Sequence, residues 1–345
     1  MTSSSTDLAE QASVATSGPG TREGGRRGRA ALGFAERYAL VGLLLAVTLS
    51  FCVLPATSEV FPTSANLRIL VANQSVTVLL ALAAMIALIS GHFDFSLGAV
   101  AATSSVTAAG LMSKHDSPLV VCVAAAIVVG LLVGTANGIA VTRLGMNSFV
   151  TTLATATLLG GAIQWYTEGQ AISSNISPDL IDFGSMTWLG VPRVVYVVVV
   201  AAVAVYYLVA QTPYGRSLYA IGDNPIAARL VGMPVKRYGL LAFVLAGGLA
   251  SVAGVVLAAR TGGATADNGT SMLFPALAAV FLGATAIRPG RFNVVGTAIG
   301  VALVAVSVSG LTLAGAEAWV TPVFNGAALA IAVALSSYLG RRSTA

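Results

Sequence analysis

Two ionisable side chains, His92 and Asp94, stand in the segment ISGHFDFSLGAV, residues 89–100, between two long apolar runs. An ionisable group at membrane depth is costly and usually kept for function. Three uses fit Asp94: capping, with Ser96 as its rival, a helix that begins near Phe95; touching a solute; or gating a path. Gly91 and Gly98 allow a tight turn and close packing around it. His92 is read as packing or bonding locally rather than shuttling protons.

Uncharged polar residues are more numerous within the apolar runs. Asn73, Gln74, Ser75 and Thr77 fall in one run, Asn137 in another, and Thr151, Thr152, Thr155, Gln164 and Trp165 in a third. Such donors and acceptors suit a neutral hydroxylated solute without requiring buried charge. The same residues could equally bond helix to helix. As candidate path residues we take Asn73, Gln74, Asp94, Ser96, Asn137, Thr152, Gln164 and Trp165.

Several chemistries lack their residues. No HExxH, GxSxG or Cys/His cluster occurs, which argues against hydrolysis and a metal site, and no catalytic residue is assigned. Cys52 and Cys122 lie in separate apolar runs and read as buried free thiols. Coupling to protons or sodium usually needs carboxylates or histidines inside spans, and Asp94 is the one carboxylate near a span, at its edge. The only lysines, Lys114 and Lys236, follow AAGLMS and VGMPV, so neither completes a P-loop. ATP-driven transport would therefore need a separate ATPase.

The elements that must position these residues are membrane spans. Of 345 residues 56% are hydrophobic and 9% charged, with mean hydropathy +0.87, against roughly 25% charged in soluble domains. About 20 apolar residues cross the hydrocarbon. Ten runs qualify: 38–57, 69–89, 96–112, 118–141, 148–165, 194–211, 238–259, 272–287, 294–314 and 319–339. Those at 96–112 and 272–287 are short or glycine-interrupted, as broken or tilted helices would be. The expected fold is all-α and polytopic, with a permease domain over 37–340.

Residues 1–36 are rich in Ser, Thr, Gly and charge and are expected to be a disordered cytoplasmic tail; 341–345 form a second short tail. Arg26-Arg27 precede a long apolar run without a small-residue cleavage site, so an uncleaved first span is expected. With the amino terminus inside, 14 of the 18 Lys and Arg fall on inside segments, and only Arg68, Lys114, Arg193 and Arg260 outside. That bias is the positive-inside pattern. It places both termini in the cytoplasm, and the spread of bases over short loops speaks against nucleic acid.

Two long loops remain. The outside loop 166–193 could pack as a small cap or meet an external partner. The inside loop 212–237 contains GDNPIAARLVGMPV. Asp223 and Asn224 are N-cap residues, Pro225 suits the first helical position, and Gly232 followed by Pro234 is a stop. So short a helix is unstable alone in water. Ile226 and Leu230 share one face with Ala227 nearby, and Arg229 points elsewhere. The spacing predicts a docking helix; the rival reading is a connector lying on its own bundle.

Four stretches in order resemble the membrane subunits of ribose-type ABC sugar importers over roughly residues 60 to 339. GHFDFSLGAV resembles the GGIDLSVGS signature at Gly91, Asp94, Ser96 and Gly98, with His92, Phe93, Phe95 and Leu97 departing. GTANGIAVTRLGMNSFVTTLAT matches at Asn137, Gly138, Phe149, Val150, Thr152 and Leu153. GDNPIAARLVGMPV matches at Asn224, Ala227, Ala228, Arg229, Leu230, Gly232 and Val235, with Ile226 where importer permeases often carry Glu. AAVFLGATAIRPGRFNVVGTAIGVAL resembles the glycine-rich segment near the carboxyl end.

The resemblance implies an ABC importer permease fold in a bacterial inner membrane, paired with a second permease subunit, identical or not. It also implies a cytoplasmic ABC ATPase, which holds the ATP and Mg, and an extracytoplasmic solute-binding protein; this chain binds no cofactor itself. The solute would be a pentose, hexose or related polyol, with nucleosides and branched-chain amino acids as alternatives and a secondary transporter as the other class. ATPase coupling would fall on Asp223, Asn224, Pro225, Ile226, Ala227, Ala228, Arg229, Leu230 and Gly232.

Overall fold

The computed structural model describes residues 20–265, 267 and 270–344. Residues 1–19 of the expected tail lie outside the described residues, as does Ala345. Among the described residues thirteen α-helices follow in order: α1 Gly20–Val53, α2 Ser64–Ile89, α3 Leu97–His115, α4 Leu119–Thr142, α5 Ser148–Thr167, α6 Pro178–Ser185, α7 Arg193–Tyr206, α8 Pro213–Asp223, α9 Pro225–Leu230, α10 Val235–Thr261, α11 Leu273–Gly283, α12 Val294–Leu313 and α13 Val320–Thr344. The strands β1 Thr187–Trp188 and β2 Val191–Pro192 form a small antiparallel hairpin.

Each of the ten apolar runs is occupied by a helix, and α2, α4, α7 with its extension to Gln211, α10 and α12 are long and apolar enough to cross a membrane. Expectation and structure differ most at 272–287, where α11 has only 11 residues. At 1.5 Å per residue that is about 16 Å, half a hydrocarbon thickness. Its chain then turns through 284–293 into α12, a broken span held inside the bundle.

Helix starts follow local chemistry. Thr63 accepts from Asn66 N–H at 3.2 Å to begin α2, Asn147 from Val150 N–H at 3.3 Å to begin α5, and Asn293 from Gly296 N–H at 2.7 Å to begin α12. Packing then depends on small residues. The central helix α10 lies against α2, α3 and α4. A β-carbon on Gly130 of α4 would sit 2.4 Å from the Gly247 carbonyl oxygen of α10, and one on Gly247 2.3 Å from that of Gly130. Such close backbone approach is how helices associate where apolar burial gives no advantage over lipid.

The loop 166–193 forms α6 and the hairpin, and residues 213–223 form α8. Thr212 caps α8 by accepting from Gly215 N–H at 3.2 Å, with Pro213 in its first turn. That helix is amphipathic, burying Leu218 and Ile221. It lies at the same end of the bundle as α9.

Candidate functional site

The loop between α2 and α3 is tied down by hydroxyls and one amide. Asp94 Oδ1 accepts from Ser96 N–H at 2.9 Å and from Ser96 Oγ at 2.5 Å. Asn137 of α4 donates to Ser96 Oγ at 2.9 Å and accepts from Thr155 Oγ1 of α5 at 2.7 Å. Thr152 Oγ1 accepts from Phe95 N–H at 3.0 Å and donates to the Ser148 carbonyl at 2.8 Å. Thus Thr155, Asn137 and Ser96 donate in sequence toward one carboxylate, and four of the candidate path residues meet in a single buried network.

Asp94 does not cap α3, whose N-cap residue is Ser96 with no side-chain cap bond; it closes a turn onto Ser96 just ahead of the helix and is 4% exposed. Burial pushes its carboxyl up to about 6, against the lowering influence of the two Ser96 hydrogen bonds. His92 packs its ring against Phe243, with centroids 5.6 Å apart, and burial lowers its pKa.

Asn73 and Gln74 lie elsewhere. At the far end of α10, about 40 Å from its start, Arg260 donates to the Gly184 carbonyl at 2.7 Å and to Asn73 Oδ1 at 2.6 Å. They line a cavity of about 490 Å³ with Gln74, Thr77, Thr321 and Asn325. Arg260 Nε and Asn325 Oδ1 are buried there without partners among the described residues, so polar capacity is left for a ligand or water. Gln164 and Trp165 join neither group; Trp165 is 82% exposed on α5. Arg260 and Asn325 were not singled out from the sequence, because a lone Arg after a span reads as topology and a lone Asn in a span as helix packing.

Helix α9 spans Pro225–Leu230. Asn224 Oδ1 accepts from Ile226 N–H at 3.1 Å and Ala227 N–H at 2.9 Å, and Gly232 takes φ +82° as the left-handed stop. Asp223 is not a cap of this helix: it is the last residue of α8, and its carboxylate pairs with Arg291 at 3.2 Å. Ala228 is 4% exposed and seats α9, whereas Ile226, Leu230 and Val231 are 73%, 84% and 72% exposed. The apolar face therefore looks away from the chain's own bundle. Beside it lies a cavity of about 370 Å³ lined by His92, Arg143, Arg229 and Lys236.

These regions touch through backbone. Gly91 takes φ +80°, and a β-carbon there would meet Gly222 Cα at 3.4 Å; one on Gly222 would lie 2.1 Å from the Ile89 carbonyl oxygen. The end of α8, next to α9, thus presses on the loop that carries Asp94. No sequence motif announced this contact.

A multi-pass helical bundle with an interior polar network, a polar cavity at one end and an outward-facing helix at the other defines the membrane component of a transporter. The chain belongs to the family described as branched-chain amino acid transport system / permease component, which matches residues 67–333. It is 30% identical over 301 residues to the ribose import permease protein of Escherichia coli K12, covering 86% of this chain and 92% of the relative. Its identity to the ribose import permease protein of Bacillus subtilis 168 is 34% over 275 residues, 78% and 84% of the two chains. The D-allose transport system permease protein of Escherichia coli K12 is 27% identical over 308 residues, 89% and 94%. No solved structure matches. Within the family the chain stands with the ribose-type ABC sugar permeases, as its motifs indicated, and it is a transport component.

Proposed function

We propose that the chain forms the solute path of an ATP-driven importer for a pentose, hexose or related polyol, and that a separate ABC ATPase drives it by docking on α9. The observation that carries this reading is the exposed Ile226, Leu230 and Val231 on a helix that is capped at both ends and seated by Ala228. Six residues hold no helix in water without support, and a face that leaves its own bundle uncovered fits a partner. The positive-inside bias puts that face in the cytoplasm, where an ATPase carries its ATP and Mg. A binding protein would deliver sugar to the opposite end, at the Arg260 cavity, and a second permease subunit would complete the path in the bacterial inner membrane.

The mechanism follows the contacts. ATPase closure moves α9, α8 transmits the motion through Gly222 to Ile89 and Gly91, and the Asp94 network shifts α4 and α5 with the loop. Docking shifts access only if the ATPase binds α9 with different free energy in the two states. Asp94, Ser96, Asn137 and Thr152 are in this reading the part of the path that responds to α9. The ring of Phe93 stacks on Phe281 at 6.2 Å and on Phe95 at 6.3 Å, extending the same loop toward α11.

The test is uptake in proteoliposomes holding the permease, its ATPase and its binding protein. Leu230→Asp should abolish ATPase co-purification and cut ATP-dependent uptake at least tenfold while leaving membrane insertion intact. Normal uptake would sink the docking reading. Labelled ribose, a nucleoside and leucine offered in parallel decide the solute class, and uptake that follows an imposed ion gradient without ATP would favour a secondary porter.

A further inference from the structure

A further pocket lies between the end of α7, α8 and the 284–293 connection, apart from the Asp94 network and the Arg260 cavity. It encloses about 310 Å³ and is lined by Arg216, Tyr219, Asp223, Arg288 and Arg291 with Val209 and Ala210. Arg291 engages Asp223 at 3.2 Å, while Arg216 and Arg288 form no ion pair among the described residues. Three guanidinium groups facing one carboxylate leave a net positive pocket. Tyr219, which donates its hydroxyl to the Phe292 carbonyl at 2.5 Å, fixes the pocket wall.

Its surroundings place it at a membrane surface. The apolar segment of α7 is only 17% buried in the bundle, and Val199, Val200 and Val203 are exposed along it. Tyr206 and Tyr207, also exposed, end this face, in the position where aromatic rings mark the interface. The chain then takes a π-helical turn, Tyr207–Gln211, and reaches the pocket through Val209 and Ala210. An adjoining slot of about 110 Å³, lined by Tyr206, Ile287, Val294 and Val295, shares Val209, Ala210, Tyr219 and Arg288 with it. A basic pocket continuous with an apolar slot, beside a lipid-facing helix, matches a molecule with a phosphate and an acyl chain.

We propose that this pocket binds an anionic phospholipid, with Arg216 and Arg288 on its phosphate and the slot beside Tyr206 holding the start of an acyl chain. An anionic lipid gains about fivefold in affinity per basic residue near the surface, so two uncompensated arginines amount to roughly thirtyfold. Arg291, already committed to Asp223, shapes the pocket more than it adds charge. The assignment stands independently of which solute the chain moves and of which ATPase drives it.

The experiment is native mass spectrometry of the full-length chain in neutral detergent, titrated with phosphatidylglycerol, phosphatidylcholine and inorganic phosphate. Phosphatidylglycerol should be retained at one tight site per chain, roughly thirtyfold better than phosphatidylcholine. The double variant Arg216→Ala/Arg288→Ala should lose that preference, and Arg237→Ala, which removes a charge at the same end but outside the pocket lining, should keep it. Thermal unfolding in the same detergent checks that the double variant is folded; if it is not, Arg288→Gln alone is read instead. Equal retention of both lipids, equal loss in Arg237→Ala, or displacement of lipid by inorganic phosphate would overturn the proposal. So would a double variant that retains phosphatidylglycerol but no longer binds the ATPase, which would make the pocket a protein contact.

Discussion

Helix α9 and the loop carrying Asp94 are both short connectors at one end of the bundle, and they are built in opposite ways. In α9 the polar groups are satisfied locally, by Asn224 and the Gly232 turn, and the apolar side chains are exposed. In the Asp94 loop the carboxylate is met by Ser96, but the loop is also bonded at long range, by Asn137, Thr152 and Ser148 from two other helices, and Ser90, Asp94 and Ser96 are buried. A helix satisfied within itself can move as a body without losing bonds. A loop satisfied by its neighbours cannot move without moving them. In the proposed coupling the pair acts as a rigid handle and a coupled receiver, joined where Gly222 meets Ile89 and Gly91.

The hardest test of that comparison is to pry the two apart. A β-carbon at Gly222 would lie 2.1 Å from the Ile89 carbonyl oxygen, and overpacking of this kind costs about 1–3 kcal/mol. Gly222→Ala should lower the unfolding midpoint in detergent by several degrees and cut ATP-driven uptake at least tenfold, while ATPase binding at α9 persists. Wild-type uptake in this variant would mean that handle and receiver are not joined here.

How much of this was legible in the sequence follows from the range over which each feature is decided. The ten apolar runs were readable as helices because bilayer thickness imposes length and apolarity on each segment alone, and five of those helices are long and apolar enough to cross. The start and stop of α9 were readable because caps and a left-handed glycine act within four residues, although Asp223 was grouped with Asn224 before its Arg291 partner was visible. The direction of the α9 apolar face was not readable, since Ile226 and Leu230 have one spacing whether they face the bundle or leave it. The polar residues of the spans divide similarly: Asn137 and Thr152 join Asp94, Asn73 turns to Arg260 187 residues away, and Trp165 faces outward. Periodicity gives a face, and only packing says what the face meets.

A subtler test asks whether the receiver needs the Asp94 charge or only its acceptor. Burial raises this carboxyl from 3.8 to about 6, so the folded chain binds the proton more tightly than the unfolded one. The stability this confers is complete below pH 3.8 and is lost as pH rises through about 6. Asp94→Asn keeps an oxygen for Ser96 and removes the charge, so it should hold uptake within about threefold and flatten the loss of stability between pH 4 and 7. Asp94→Ala orphans the Ser96 hydroxyl and N–H, at roughly 1–3 kcal/mol, and should lose most uptake. Thermal unfolding and uptake across pH 5 to 8 measure both, and an Asn variant as impaired as the Ala variant would assign the role to the charge.

The smallest expected effect sharpens the other half of the comparison, the claim that α9 is satisfied within itself. Asn224 accepts from two N–H groups of the first turn, and an Asn→Ala change at a cap costs about 1 kcal/mol. Because nothing else in the bundle shares those bonds, Asn224→Ala should leave the global unfolding midpoint unchanged. Hydrogen exchange at Ile226 and Ala227 should rise about fivefold, as 1 kcal/mol of local opening dictates, and uptake should fall two- to threefold as the handle loosens. Asn224→Asp, which can accept the same bonds, should restore both. If Asn224→Ala instead lowers the midpoint of the whole chain, α9 is part of the core it borders, and the contrast with the Asp94 loop disappears.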